Sequence, residues 1–280
     1  VFALCAGLTA LVTLGIVLVF ITEAIGFFAQ VSILEFLTET RWTPLFQEKH
    51  FGILPLLSGS ILVAVGAGLV ALPGGLLTAI FLSEHAGSRV RSVLKPLLEV
   101  LAGSPTVVYG YFALTFVTPL LQGILPGLEA FNAASAALVV GIMILPTVAS
   151  LSDDALRAVP NAMREAALGL GAAPVDVTTR VVIPAGASGI LASFILGLSR
   201  AFGETMVVAM AAGNSPHLTL NPLESVQTMS AYVLQVGQGN IGLGTMDYRT
   251  LFAVGMMLFL ITMTMNQLSH WVRVRLGGIR

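Results

Sequence analysis

The chain alternates long apolar stretches with short polar segments. Six stretches are long enough to cross about 30 Å of hydrocarbon at about 1.5 Å per residue. They run approximately over Ala3–Phe28, Ile53–Leu82, Pro96–Leu121, Ala133–Leu151, Gly189–Ala212 and Leu251–Trp271. None shows the two-residue alternation of a barrel strand, and only helices and closed barrels satisfy their backbone in lipid. The pattern therefore predicts an all-α integral membrane protein with six transmembrane helices.

The first apolar stretch is longer than the core of a signal peptide, and no A-x-A cleavage site follows it. We therefore expect it to span the membrane. Residues 1–52 would form this first helix and an external loop, and residues 53–280 the transmembrane domain. Because the chain begins at Val1 without an initiator methionine, we also expect a preceding piece that the sequence does not include.

Basic residues between the stretches predict the orientation, since short cytoplasmic loops retain lysine and arginine. One side carries three basic groups: Arg89, Arg91 and Lys95; Arg157, Arg164 and Arg180; and Arg273, Arg275 and Arg280. The first loop on the other side offers only Arg41 and Lys49. We expect a multi-pass membrane protein with both termini in the cytoplasm.

Two segments are predicted to lie outside. The loop from Gln30 to Gly52 contains Trp42, and the loop from Gly213 to Tyr248 is rich in glycine and almost uncharged. They would either receive a soluble partner or, through the aromatic residues, anchor helix ends at the membrane interface.

Composition supports the membrane assignment, because the chain is 56% hydrophobic and 10% charged, with a mean hydropathy of +0.94. Soluble domains carry about 25% charged residues. The net charge of -1 and the scattered arginines argue against a nucleic-acid partner. A single cysteine and scattered histidines indicate no metal site.

The stretch REAALGLGAAPVDVTTRVVIPAG, from Arg164 to Gly186, has helix signals at both ends of a corner. Pro160 is tolerated in the first turn of a short helix, and Gly171 accepts the left-handed conformation that ends one. Pro174 then starts a second helix that leads to Pro184. The pattern predicts helix, corner and helix within a cytoplasmic loop over residues 153–188. The alternative is an ordinary loop between two spans.

The fifth stretch contains SRAFGETM, in which Arg200 and Glu204 are four residues apart and would stack on one helix face. An arginine near the bilayer centre costs about 2.5 to 3.5 kcal/mol and persists when it is paired, faces a polar cavity or binds a ligand. Its planar fork of donors suits an oxyanion. Two hypotheses remain open: an anion ligand, or a fixed pair of Arg200 with Glu204 that joins helices.

Pro73, Pro105 and Pro146 interrupt three stretches, and each frees a backbone carbonyl that protein or water must satisfy. Near the second of these prolines, Ser104, Thr106 and Tyr109 provide hydroxyl groups. They would line a pathway or form ordinary hydrogen bonds between helices.

No G-x-x-x-x-G-K-[ST] phosphate cradle, nucleophile elbow or H-E-x-x-H sequence is present. The chain is therefore not expected to be an enzyme or to bind a cofactor itself.

The corner stretch resembles the EAA loop of ABC-importer permeases, whose pattern is EAA, three residues, Gly, nine residues and Ile-x-Leu-Pro. Val181 and Ile183 replace the Ile and Leu of that pattern. The resemblance implies the importer-type ABC permease fold and a coupling helix that docks on a separate ATPase subunit, which holds ATP and magnesium. The residues that it assigns to coupling are Arg164, Glu165, Ala166, Ala167, Gly171 and Pro184.

From Thr40 onward the chain is similar to the C subunit of the phosphate-specific permease family. The stretches that carry this similarity are TRWTPLF, FGILPLLSGS, EVLAGSPTVVYGYFAL, LSRAFGETM, VQTMSAYVLQVGQGN and DYRTLFAVGMMLFLITMTMN. The family implies a location in the bacterial cytoplasmic (inner) membrane and passage of inorganic phosphate past Arg200 and Glu204. It also implies a second permease subunit of A type, two ATP-binding subunits and an extracytoplasmic phosphate-binding protein. Two alternatives remain: a sulfate or molybdate permease of the same architecture, and a passive anion channel.

Overall fold

The computed structural model describes residues 2–239, 242 and 244–276. Arg280, counted above among the basic residues, and Asn240, which ends one of the similar stretches, lie outside the described residues. The helices are α1 Phe2–Phe28, α2 Ile33–Thr38, α3 Leu54–Ile80, α4 Ser88–Ala102, α5 Thr106–Phe112, α6 Thr118–Gln122, α7 Ala133–Arg157, α8 Asn161–Gly169, α9 Pro174–Val177, α10 Ile183–Phe202, α11 Met206–Ala211, α12 Met229–Gln238 and α13 Met246–Leu276. Wider π-helical turns at Phe81–His85, Ala113–Val117 and Thr178–Val182 extend α3 and join α5 to α6 and α9 to α10.

Among the described residues, five helical segments are long and apolar enough to cross a membrane, and a sixth span results if a bent pair is counted as one. The continuous segments are Leu4–Phe28, Leu54–His85, Ala133–Arg157, Pro174–Phe202 and Met246–Arg275. The all-α membrane architecture predicted from the sequence is confirmed within the described residues.

The third predicted span, Pro96–Leu121, is not one continuous helix, and its break lies beside Pro105, which was expected to interrupt it. The chain forms α4 and the segment Thr106–Gln122, which are bent by 84° relative to each other. The break lies at Gly103–Pro105, where proline restricts the preceding residue to extended conformations and the glycine allows the turn. We call this break the elbow.

The fifth predicted span, Gly189–Ala212, is wrong at both ends. Its helix already begins at Pro174, so much of the predicted loop belongs to the span. It ends at Phe202, and the short α11 follows after Gly203–Thr205. The hydropathy pattern did not indicate this second break, because α10 before it and α11 after it are both apolar.

The centre of the bundle is the pair of α3 and α7, which pack closely along their length. Glycines allow this approach: a Cβ on Gly66 would lie 2.8 Å from the Ala137 Cβ, and one on Gly141 would lie 2.9 Å from the Ala67 carbonyl oxygen. Such small residues let helix backbones meet closely in a membrane. Around them, α10 packs on α3, α7 and α13.

The first helix lies at the edge of the bundle, against α13. Phe20 packs on Phe252, and a Glu23 oxygen lies 3.5 Å from Nε of Arg249. The following loop folds back, so that Trp42 is buried in the same apolar cluster as Ile53 and Tyr232. A unit boundary at residue 52 stays a prediction.

The polar loops gather at the two ends of the bundle. Contacts between Arg91 and Asp153 and between Arg164 and Glu84 bring two of the basic loops together at what we call the basic end. At the opposite end, Lys49 pairs with Asp247, and a Glu129 oxygen accepts a hydrogen bond from the Ser225 N–H.

The close contact at Gly59 provides a test of the packing. A Cβ there would lie 2.5 Å from the Gln227 carbonyl oxygen, whereas nothing lies within 4 Å of a Cβ at Gly15. We expect Gly59→Ala to cost about 1 to 3 kcal/mol through overpacking against backbone and to lower the thermal unfolding midpoint of the protein in detergent. Gly15→Ala is the control and should leave the midpoint unchanged or raise it slightly, since alanine favours a helix. Equal midpoints for both variants would contradict this packing.

Candidate functional site

Arg200 lies in the last turn of α10, and its side chain is exposed. Nη1 donates a hydrogen bond of 2.7 Å to Oγ1 of Thr147, and Nη2 donates one of 3.2 Å to the Ala102 carbonyl oxygen. Ala102 ends α4, where helix carbonyls lack partners and the helix dipole favours a cation. The guanidinium therefore links the elbow to the middle of α7 and retains donors for a further ligand.

Glu204 does not stack with Arg200, so the predicted pairing on one helix face is wrong. Because α10 ends at Phe202, the two residues do not share a helical turn. The Glu204 side chain is nearly buried, and its Oε1 accepts hydrogen bonds from the N–H groups of Met206 at 3.0 Å and Val207 at 3.2 Å. The carboxylate satisfies the first free N–H groups of α11.

The hydroxyl residues at the elbow satisfy its backbone. Pro105 lacks an N–H to donate to the Leu101 carbonyl, which instead accepts hydrogen bonds from the Ser104 N–H at 3.3 Å and from Tyr109 Oη at 3.0 Å. Ser104 Oγ donates to the Val100 carbonyl at 3.1 Å. Thr106 begins α5. The structure thus places Ser104, Thr106 and Tyr109 around the elbow that Arg200 contacts.

The elbow and the break at Gly203–Thr205 lie next to each other because α5 packs on α11. A Cβ on Gly110 of α5 would meet the Met210 side chain at 2.9 Å and the Met206 carbonyl at 3.2 Å. Interrupted helices in membrane proteins occur where the freed backbone lines a cavity or is buried by protein. The sequence analysis did not identify Thr147 and the Ala102 carbonyl as contacts of Arg200. Pro146, directly before Thr147, was a sequence signal that this part of α7 is unusual.

At the basic end, α8 and α9 form the predicted corner. Gly171 has a φ of 85°, in the left-handed region. The Gly171 N–H donates to the Leu168 carbonyl at 2.9 Å and the Ala172 N–H to the Ala167 carbonyl at 3.1 Å, which is the Schellman pattern. The corner is therefore a fixed turn with a defined shape.

The outer surface of the corner is apolar. Leu170 is 90% exposed, Val175 65% and Leu168 50%. Glu165 and Ala166 are also exposed on α8, whereas Ala167 is half-buried against an apolar cluster around Leu156. Pro184 lies in the first turn of α10, directly after the wide turn Thr178–Val182. Exposed leucines on a rigid corner form a surface that a partner protein can cover.

Arg164 points into the protein. Its guanidinium contacts both oxygens of Glu84, with Nη2 at 2.9 Å from Oε1 and Nε at 3.3 Å from Oε2. It also donates to the carbonyls of Val159 at 2.6 Å and Leu156 at 2.8 Å. Sequence reasoning assigned Arg164 to the docking surface and did not single out Glu84.

At the opposite end, Glu224 organises the loop after α11. It accepts hydrogen bonds from the ring of His217 at 3.1 Å, the Asn221 amide at 2.7 Å and the Thr219 hydroxyl at 2.8 Å. These bonds, with that from His217 contributing most, hold the pKa of Glu224 below its usual value. This ordered loop and the loop that buries Trp42 form the surface opposite the corner.

Residues 71–276 match the family described as "Binding-protein-dependent transport system inner membrane component". Over 88% of its length the chain is 32% identical to "Probable ABC transporter permease protein YqgH" of Bacillus subtilis (strain 168), of which 79% is covered. It is 34% identical over 84% of its length to "Phosphate transport system permease protein PstC" of Haemophilus influenzae, also with 79% covered. A solved bacterial alginate ABC transporter superposes with a TM-score of 0.58 at 16% identity, over 97% of this chain and 95% of that chain, which shows the fold.

The shape of the corner yields a prediction. Gly171→Val places a β-branched residue at a φ of 85°, where only glycine is free of strain. Because nothing lies within 4 Å of a Cβ at this position, the effect is conformational rather than steric. We expect the variant to insert into the membrane but to bind its ATPase subunit weakly, as measured by co-purification. Gly169→Val, where a Cβ also meets nothing within 4 Å, is the control. If both variants retained the ATPase subunit equally, the corner would not shape the docking surface.

Proposed function

This chain belongs to the binding-protein-dependent transport system inner membrane components, and we propose that it is the C-type permease subunit of an ATP-driven importer of inorganic phosphate. As in other permeases of ABC transporters, it is not an enzyme, and ATP hydrolysis takes place on a separate subunit. The proposal for phosphate depends chiefly on Arg200, an exposed guanidinium at two helix breaks in a chain similar to phosphate permeases.

Phosphate fits the groups around Arg200. A guanidinium binds an oxyanion through paired donors, and Thr147 positions this guanidinium by accepting a hydrogen bond of 2.7 Å from Nη1. The Ala102 carbonyl can accept a hydrogen bond from a protonated phosphate, because a carbonyl oxygen has two lone pairs and only one is used by Arg200 at 3.2 Å. Fully ionised sulfate has no proton to donate there.

Exposed surfaces of the protein support the proposed partners. The corner with Leu168, Leu170 and Val175 exposed would dock on one of two ATP-binding subunits, which hold ATP and magnesium. A second permease subunit, of A type, would cover exposed side chains of α4, α5 and the wide turn that follows α5, among them Val100, Tyr111 and Phe116. The ordered loops at the opposite end would receive a phosphate-binding protein from outside the cell. Membrane lipid would surround the remaining apolar faces.

We also propose the orientation. The basic end lies in the cytoplasm of a bacterium, together with both termini, and the loops around Trp42 and Glu224 lie outside. A passive anion channel, the remaining alternative of another class, would have no use for a rigid docking corner. Co-purification of an ATPase subunit tests that alternative, and competition by sulfate or molybdate for phosphate uptake in membrane vesicles tests the substrate.

Arg200 provides the central test. We expect Arg200→Gln to abolish uptake of radiolabelled phosphate while the subunits still assemble, because the substitution removes a charge whose insertion alone costs about 2.5 to 3.5 kcal/mol. Arg200→Lys should restore little uptake, since a lysine lacks the planar fork of donors. Arg89→Gln, which changes an exposed arginine of α4, is the control and should transport normally.

The Arg200 variants distinguish a ligand role of this residue from a purely structural role. If Arg200 only held the elbow to Thr147, Thr147→Val would reduce uptake as strongly as Arg200→Gln, because both remove the same 2.7 Å hydrogen bond. A ligand role predicts a larger loss for Arg200→Gln. Equal losses, or normal uptake by Arg200→Gln, would contradict the proposal.

Labelling with a membrane-impermeant thiol reagent tests the orientation. After Cys5, which is exposed, is replaced by Ser, a cysteine at Ser88 should react only in broken cells, and one at Leu220 should react in intact cells. Both positions are exposed, whereas Ser152 is buried against Ser193 and is unsuitable. Reaction of Ser88→Cys in intact cells would contradict the proposed orientation.

A further inference from the structure

The ion pair between Arg164 and Glu84 joins the docking corner to the end of α3. Side-chain exposure is 17% for Arg164 and 11% for Glu84, so the pair is largely shielded from water. Both guanidinium contacts to the carboxylate, at 2.9 and 3.3 Å, come from one side of the fork, and Ser83 Oγ donates to Glu84 Oε1 at 2.8 Å. Bidentate pairs of this kind fix the orientation as well as the distance of their partners.

The rest of α8 is held weakly. None of its residues is fully buried, and only Met163 and Ala167 pack against the apolar cluster around Leu156. Arg164 is therefore the strongest polar attachment of α8 among the described contacts. Through the Val159 and Leu156 carbonyls it ties α8 to the preceding chain, and through Glu84 to a helix about 80 residues earlier in the sequence.

Glu84 lies in the wide π-helical turn Phe81–His85, which continues α3 without a break. Arg157 adds a second contact to this turn, since its Nη2 lies 3.4 Å from the Leu82 carbonyl. π-helical turns often mark functional positions, because one residue more per turn changes the helix geometry locally. Through Glu84, the docking corner thus contacts a turn that continues α3 and whose geometry departs from the α-helix.

At its other end, α3 contacts the segment that borders the second helix break. Ser60 Oγ accepts a hydrogen bond of 2.9 Å from the Met229 N–H, and Gly59 lies against the Gln227 carbonyl. The next residue, Ser230, donates from Oγ to the Glu204 carbonyl at 2.6 Å. A displacement of α3 along its axis would therefore act on the break that follows Arg200.

We propose that the Arg164–Glu84 pair is the link by which movement of the docking corner is passed to α3, and through α3 to the helix break at Gly203–Thr205. The inference rests on the proposed function, because it assumes that an ATPase subunit moves the corner. Arg164 and Glu84 are then positioning residues, which touch neither substrate nor nucleotide. Glu165, its neighbour in the sequence, remains exposed on the docking surface.

The test measures phosphate transported per ATP hydrolysed in the reconstituted complex with radiolabelled inorganic phosphate. Glu84→Gln keeps the size and one acceptor oxygen of the side chain but removes its charge. We expect the complex to assemble and hydrolyse ATP while the ratio falls by about fivefold or more, the lower range of allosteric couplings. A folding defect would reduce transport and hydrolysis in proportion and leave the ratio unchanged, so the ratio reports coupling.

A double-mutant cycle attributes the effect to the pair. Arg164→Gln should lower the ratio in the same way, and the double variant should be no worse than the poorer single variant, because residues that act through one contact are not additive. Glu23→Gln is the matched control: it also removes a carboxylate that faces an arginine of another helix, Arg249 at 3.5 Å, but lies on α1. Its ratio should equal that of the wild type.

The outcomes separate this inference from the proposed function. A wild-type complex that takes up no phosphate would overturn the proposed function. Normal wild-type uptake with an unchanged ratio in Glu84→Gln would overturn only the link through Glu84. Additive losses in the double variant would likewise overturn it, since the two residues would then act independently.

Discussion

The structure depends on one constraint of a membrane: a backbone N–H or carbonyl removed from water must find a partner within the protein. Continuous helices meet this demand by themselves, but the two breaks near Arg200 do not. Tyr109, Ser104 and Arg200 donate to three consecutive carbonyls at the elbow, from Val100 to Ala102. At the second break, the Glu204 carboxylate accepts from the freed N–H groups of α11.

This requirement also explains how two charged residues are accommodated beside the helix breaks. Arg200 is tolerated because the end of α4 offers a carbonyl with partial negative charge, and Glu204 because the start of α11 offers two N–H groups. Each charge meets a helix end of opposite polarity, so the two need not pair with each other. Among the described residues no carboxylate contacts Arg200, so an anion that bound the guanidinium would not have to displace one.

The sequence predicts the continuous spans and the corner better than the breaks. Apolar length identified α1, α3, α7 and α13, and the left-handed Gly171 was predicted from local helix-ending signals. The breaks depend on tertiary partners. Pro73 and Pro146 remain inside helices, whereas Pro105 follows a glycine and a serine and marks a bend of 84°. The two residues of the candidate site, Arg200 and Glu204, were identified correctly as unusual, but their relation was wrong because it assumed an unbroken helix.

The same distinction applies at the basic end. A motif of consecutive residues suggests one surface, yet a helix turns about 100° per residue, so neighbours in the sequence face different directions. Glu165 is exposed while Arg164 reaches Glu84, which no sequence pattern connected with the corner. A corner that contacted only its partner would move without effect on the bundle, and one fixed only to the bundle would not sense the partner. Because Glu165 and Arg164 face different directions, one short helix can contact both a partner and the bundle.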